Sequence, residues 1–378
     1  MLESLLVKIT EYFPKRKSST LKNILLLSLC ILHKETINLN RLKGVVGLYT
    51  KKDSEPSSHY KRLIRIFDNN SLSRLWLELL KFVFQLLRLE TEYLIIDGTS
   101  WKRGKRWFHY MTLCIVYRGI AIPIYWEDLS KHGLSNFKER QKLLDAAIKH
   151  FDLRGKTLLG DREYIGKEWF KYLIDNDINF IIRIKKNIYK TSINESSGRS
   201  HEQITAKILR SKLPNKSLSK LIDLEGIALK FVAIKNPKKD PKDPVIYLLT
   251  NMKEENTNKI AYAYCIRTKI EHCFKQLKSN GFNLEQINLK KKSRCRLLMA
   301  ITVFTYVLSI HEGLKKYKKV PMKIYEKFNT EKAVSVFRFG LDQLVTFTRN
   351  IEDFCQYILT EIWRAIHKYK SPNSLNVQ

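Results

Sequence analysis

YLIIDGTSWKRGKRWFHYMTLCIVYRGIAIPIYWED, residues 93–128, is a series of β-branched and aromatic runs parted by glycine turns. YLIID (93–97) reads as a short apolar strand that ends in an acid. WFHYMTLCIVY (107–117) follows the Gly104 turn, and IAIPIYWED (120–128) follows the Gly119 turn. Strands joined this tightly form an antiparallel meander. Downstream the period changes. NFKERQKLLDAAIKHF (136–151) has helical apolar spacing, with Ser135 placed as its cap. TLLGD (157–161) is a buried strand that again ends in an acid. YIGKEWFKYLIDN (164–176) is helical and NFIIRI (179–184) is a strand. The order β-β-β-α-β-α-β, closed by a later helix, predicts a mixed α/β core.

Outward from this core the patterns differ. Residues 1–90 read as helical. Leu72, Leu75, Leu79, Leu80, Val83, Leu86 and Leu87 recur at helical spacing after Ser71. SSHYKRLIRIF (57–67) predicts a helix started by Ser57 or Ser58, with Leu63, Ile64 and Phe67 inward and Lys61, Arg62 and Arg65 outward. Those three cations suit either a solvated face or a helix that tracks phosphates. Residues 185–256 form a basic, β-rich insertion: 185–220 hold nine basic and two acidic residues, and IALKFVAIK (227–235) and VIYLLT (245–250) read as strands around a Pro-rich turn. A long helix begins near Thr257. Helical pattern continues through 311–378, a region suited to dimerisation. The division expected is therefore 1–90, 91–184, 185–256, 257–310 and 311–378.

The chain has 378 residues, with 69 Lys plus Arg against 37 Asp plus Glu, a formal charge of +32. Such an excess calls for a polyanionic partner or an anionic surface. Apolar residues make up 44%, which excludes a mostly disordered chain. The apolar run Leu297–Ile310 is shorter than the roughly 20 residues a spanning helix needs, and reads as a core helix. Glu3 and Lys8 fall where a signal peptide would be apolar. The charge then points to nucleic acid rather than lipid, in a bacterial cytoplasm in association with the nucleoid. The six cysteines contain no C-x-x-C pair and read as structural thiols of a reducing compartment.

Asp97 and Asp161 end strands that are able to neighbour one another, and functional groups collect at the carboxyl ends of strands in α/β sheets. Each acid alone is more often a turn former or, for Asp161, a helix cap. On the helix from Thr257, the residues Tyr264, Arg267, Glu271, Lys275 and Lys278 fall within about 80° of one another at 100° per residue. In isolation that ridge is a set of surface i,i+4 pairs, worth about 0.3–0.5 kcal/mol each. In combination, three carboxylates in a cationic setting suit phosphodiester cleavage by two divalent ions. Glu163 reads as a support for Asp161 or an acid at the next helix N-terminus. Asp128 reads as structural, and His109 and His132 as structural or DNA-facing.

These residues resemble a known family. IIDGTSW with Asp97, LLGDREYIG with Asp161 and YCIRTKIEHCFKQLK with Tyr264, Arg267, Glu271 and Lys278 are similar to the motifs of DDE-type insertion-sequence transposases, in the subgroup with a Y-x2-R-x3-E-x6-K signature. The resemblance spans roughly residues 40–310 and implies a ribonuclease H-like mixed-sheet catalytic core with a β-rich insertion, flanked by N- and C-terminal helical regions. It implies an enzyme that binds terminal inverted repeats, pairs two ends as a homodimer, cuts with two Mg²⁺ (or Mn²⁺) ions and joins the freed 3′-hydroxyl to target DNA. By carry-over, Asp97, Asp161 and Glu271 bind the metals, and Tyr264, Arg267 and Lys278 hold transposon-end phosphates, with Lys275 in support. Relatives that pass through a DNA hairpin steady a flipped base with an insertion-domain Trp. Here no Trp lies between Trp169 and Trp363, and Phe231, Tyr189 or Tyr247 would take its place by stacking. Two other readings stand beside this one. The first is a ribonuclease H-like endonuclease or resolvase that cuts without joining; the second is a silent relic that only binds DNA.

Overall fold

The computed structural model describes residues 18–50, 54–68, 76–81, 91–129, 131–186, 188–211, 217–237, 240–316, 322–325, 329–332, 334–348, 356–357 and 360. The chain divides into two compact units: a helical one drawn from residues 1–89 and 274–375, and a sheet-centred one within 90–273. The first begins with α1 (Ser18–Lys34), α2 (Leu39–Thr50) and α3 (Pro56–Asp68). α3 buries His59, Leu63, Ile66 and Phe67, an i, i+4, i+7, i+8 stripe. Ile66 rather than Ile64 completes that face, because it lies seven residues after His59 and three after Leu63. Lys61 and Arg65 are exposed and Arg62 is half-buried. Residues 76–81 are helical with Leu79 and Leu80 buried; the rest of the Leu-rich run lies outside the described residues.

In the second unit β1 (Tyr93–Arg103), β2 (Arg106–Tyr117) and β3 (Ile120–Asp128) form the meander. Arg118 and Gly119 turn β2 into β3 with φ of 47° and 76°, the pair of positive angles that matches the twist of the flanking strands. Pro123 falls at a bulge on β3, an edge strand, where it breaks no interior ladder. β1 does not end at Asp97. It pairs with β2 as far as Arg103, whereas β4 (Thr157–Gly160) runs parallel only to Tyr93–Ile95. Asp97 thus lies just past the parallel ladder, and Asp161 directly follows β4. α4 (Phe137–Ile148) is capped by Asn136, which shares a capping box with Glu139, and not by Ser135. α5 (Lys167–Asp175) starts after Gly166, so neither Asp161 nor Glu163 lies at its N-terminus. β5 (Asn179–Ile184) extends the parallel ladder beside β4.

Residues 185–250 add α6 (Lys190–Ser197), α7 (His201–Arg210), β6 (Ser217–Leu224), β7 (Ile227–Lys235) and β8 (Val245–Thr250). β8 pairs antiparallel with β5, so these strands continue the core sheet, in the order β3-β2-β1-β4-β5-β8-β7-β6. The long helix expected from Thr257 is two helices, α8 (Thr257–Ile266) and α9 (Lys269–Leu277). At the junction Arg267, Thr268, Ile270 and Glu271 donate their backbone N–H to the third residue back, at 3.0–3.3 Å. This is a tightened 3₁₀-like turn rather than a chain reversal.

The helical unit is completed by α10 (Lys292–Lys316), the hairpin strands β9 (Met322–Tyr325) and β10 (Asn329–Lys332), and α11 (Val336–Thr348). α10 is apolar and long enough to cross a membrane, but 89% of its apolar window is buried inside the fold, as befits a core helix. Arg338 on α11 pairs with Glu35 by a fork of 2.7 and 3.0 Å. The helical pattern over 352–370 falls almost wholly outside the described residues.

Candidate active site

Asp97, Asp161, Tyr264, Arg267 and Glu271 come together in the sheet-centred unit. β1 supplies Asp97 past the end of its parallel pairing, and the turn after β4 supplies Asp161. The α8–α9 junction supplies the other three. The centre of the group is the Arg267 guanidinium, itself 8% exposed. Its Nη1 donates to Asp97 Oδ2 at 3.0 Å and its Nη2 to Glu271 Oε1 at 2.8 Å, with Asp161 Oδ2 at 3.9 Å from Nη2. Tyr264 donates its hydroxyl to Asp161 Oδ1 at 3.5 Å, and the Arg183 charge on β5 lies near enough to act on it.

The electrostatics follow from burial. Desolvation pushes the Asp97 carboxyl up to about 6, against the pull of Arg267 and of the Gly98 N–H, and Asp161 and Glu163 add to the rise. The Gly98 N–H reaches Asp97 Oδ1 at 2.8 Å. Burial works against the Arg267 charge, yet Asp161, Tyr264, Asp97 and Glu271 outweigh it and hold the guanidinium above its usual range. Tyr264 is pushed up to about 12, first by burial and then by Asp161. One cation thus faces three acids, an arrangement that lacks positive charge.

That deficit bears on metal binding. The donors are hard carboxylate oxygens, the ligands Mg²⁺ takes. Among the described residues, no three His, Cys, Asp or Glu side chains are grouped to hold a metal ion, and the Arg267 guanidinium is bonded to Asp97 and Glu271. The donors suit divalent ions by their type, and Arg267 is the cation bonded to Asp97 and Glu271.

The loop that carries Asp161 is braced from behind. Glu163 Oε1 accepts the Ser135 N–H at 2.7 Å and the Ser135 hydroxyl at 2.5 Å. Arg140, 6% exposed, donates to the Glu163 and Ser135 carbonyls at 2.7 Å, to Ser135 Oγ at 3.0 Å and to the Ile165 carbonyl at 3.2 Å. Sequence reasoning missed Arg140, since a charged residue on an amphipathic helix carries no sign of being buried.

The other candidates make contacts of their own. Lys275 is exposed on α9; Lys278, just past it, pairs with Glu285 at 3.1 Å. Lys61, Arg62 and Arg65 are on α3 of the helical unit. Asp128 pairs with Arg106 at 2.7 Å. His109 is buried against Gly98, and His132 lies 4.6 Å from the Trp107 ring. Phe231 and Tyr247 are not available to stack on a base. They are buried and stack on each other at 5.9 Å, and the Tyr247 hydroxyl bonds to Thr205. Tyr189 is half-buried, with a left-handed φ of 59°.

A family model described as "Transposase DDE domain" matches residues 88–308. A search of curated proteins gave no match. A cryo-EM structure described as a piggyBac transposase synaptic complex with hairpin DNA is 13% identical, with a TM-score of 0.46, and the match covers 97% of this chain and 78% of that one.

Proposed function

The chain belongs to the transposase DDE domain family, and from that premise we propose that it excises and joins the ends of an insertion sequence. It binds the terminal inverted repeats, pairs two ends as a homodimer, hydrolyses the phosphodiester at each end and transfers the 3′-hydroxyl to target DNA. Within the family, the spacing of Tyr264, Arg267, Glu271 and Lys278 supports assignment to the subgroup with the Y-x2-R-x3-E-x6-K signature. The observation that carries the reading is the convergence of Asp97, Asp161 and Glu271, from three separate elements, on the Arg267 guanidinium.

Asp97, Asp161 and Glu271 would hold two Mg²⁺ or Mn²⁺ ions, which supply Lewis acidity to the attacking and leaving oxygens. The protein's part is to keep three acids close without collapse or repulsion. Arg267 offsets part of their mutual repulsion, and the Gly98 N–H fixes the direction of Asp97. Tyr264 holds Asp161 from the far side. Once released from the acids, Arg267 is free to contact a phosphate beside the scissile bond, where a planar guanidinium binds two oxygens at once. Lys275, Lys278, Lys61, Arg62 and Arg65 add phosphate contacts that position DNA without reading its sequence.

The test uses purified protein, Mg²⁺ and labelled DNA from the regions that flank this chain's own coding sequence, with Glu271→Ala as control. Cleaved and joined products, lost in the variant, are expected. Cutting without joining would identify a resolvase-like nuclease, and binding without cutting in both proteins would identify a relic.

A further inference from the structure

Beside the candidate active site, a cavity of about 410 Å³ lies between β5, α7, β8 and the turn that joins β7 to β8. Arg162, Lys186, Thr205, Asp240, Lys242 and Asp243 supply its polar lining. Arg162 is the residue after Asp161. Its guanidinium pairs with Asp243, and so does that of Arg183 on β5. The Arg183 charge in turn acts on Tyr264, which bonds to Asp161. A single carboxylate therefore serves two arginines, one next to Asp161 in the chain and one acting on its partner Tyr264.

The turn is built to present that carboxylate. The Asn236 N–H donates to the Pro244 carbonyl at 2.9 Å, and the Asn236 side-chain amide donates to the Asp243 carbonyl at 2.8 Å. The Asp240 side chain accepts the Lys242 N–H at 2.9 Å. Even so, the charge is not balanced. Among the described residues, Arg162, Lys186 and Lys242 line the cavity and Arg183 joins them through Asp243, while the acids are Asp240, Asp243 and Glu202, the last acting on Lys186 and Tyr247. Four cations against three carboxylates leave an excess of positive charge around an open cavity. The Arg162–Asp243 pair is the more exposed of the two and so the more readily exchanged, and arginine forks favour phosphate and carboxylate alike. Asp243 has the shape and charge of an occupant that a phosphate would replace.

Building on the transposase reading, we propose that this cavity is a phosphate subsite for the DNA strand that passes Asp161, with Asp243 as a latch that occupies Arg162 and Arg183 until DNA arrives. Arg162 and Arg183 bind the backbone, and Lys186 and Lys242 widen the cationic rim. Asp243 is a positioning residue. It keeps both arginines extended toward the cavity in the free protein, and it competes with DNA for them.

Competition gives the test a sign that a purely structural role would not produce. Binding of a fluorescein-labelled duplex to the full chain is measured by anisotropy across a salt series in EDTA. Asp243→Asn keeps the shape of the turn and removes the competitor, so it should bind severalfold tighter than wild type. Arg162→Gln should bind more weakly, with a log–log salt slope shallower by about one. Asp243→Asn binding equal to or weaker than wild type overturns the latch, and an unchanged slope in Arg162→Gln overturns the subsite. Either result with a wild type that binds and cuts DNA leaves the transposase reading standing. A wild type that does not bind duplex DNA removes both.

Discussion

At the scale of single residues, the site is held by charges that are each incomplete without a neighbour. Asp97 shows this through pH. Its folded pKa of about 6 lies above the ordinary 3.8, so between those values the folded protein keeps a proton that the unfolded chain releases. The stability this residue contributes is therefore fully present below about pH 4 and is lost as pH rises through 6. Urea unfolding of wild type and Asp97→Asn in EDTA checks it: relative to the variant, wild type should lose at most about 3 kcal/mol between pH 4 and 7, and a flat difference would show that Arg267 fully offsets the burial. Arg140 has the opposite character, since its charge and donors are almost wholly used by the loop behind Asp161. Arg140→Met should cost about 3–5 kcal/mol, as removal of one partner from a buried charged network does. Arg140→Lys should not restore DNA cutting, because a point charge cannot serve four oxygens in a fork. Cutting by the Lys variant at the wild-type rate would show that the brace is not needed to aim Asp161.

At the scale of elements, two glycines within helices make contrary demands. Gly340 on α11 meets α10 so closely that a Cβ there would lie 1.7 Å from the Ser309 carbonyl oxygen, and one on Gly313 would lie 2.1 Å from that of Val336. Backbone cannot give way as a side chain can, so Gly340→Ala should destabilise by about 3 kcal/mol or more. Gly44, exposed within α2, has nothing within 4 Å of its missing Cβ. There Ala should stabilise by about 0.5–1 kcal/mol through helix propensity. Thermal melts of the two variants should shift in opposite directions. How far such elements could be read in the sequence depended on whether their cause was local. β5, β7 and β8 match their expected residues because β-branched runs between turn residues carry their own signal. β6, SLSKLIDL, is a polar edge strand and carried none. The helix break at Arg267 has no Pro or Gly to announce it. It falls where the Arg267 side chain meets Asp97 on β1, 170 residues away in sequence. The same division holds at the site: the acids and the Tyr-Arg-Glu-Lys spacing were legible as a pattern, whereas Arg140 and Asp243 gain meaning only from partners far along the chain. The α4 cap was legible but misjudged, since Asn136 and Glu139 already had the spacing of a capping box.

At the scale of the whole molecule, the +32 charge separates affinity from chemistry. Binding to a phosphate backbone is driven by counterion release and depends on how many cations meet phosphates. Cutting depends on three acids that add charge of the wrong sign for binding. Loss of one acid should therefore abolish one property and spare the other. Glu271→Ala removes a single negative charge and the Glu271 partner of the Arg267 guanidinium, which leaves that guanidinium freer to meet a phosphate. The variant should bind labelled duplex at least as tightly as wild type, with the same steep fall in affinity as salt rises, and should yield no cleaved DNA in Mg²⁺. Anisotropy titrations over a salt series, run beside gel assays of cleavage, read both properties on the same samples. A variant that loses binding and cutting together would mean that Glu271 maintains the fold of the α8–α9 junction, and its place among the metal ligands would have to be given up. A variant that still cuts would remove Glu271 from the catalytic set, leaving Asp97 and Asp161 to be joined by another acid, with Glu163 excluded by its bonds to Ser135.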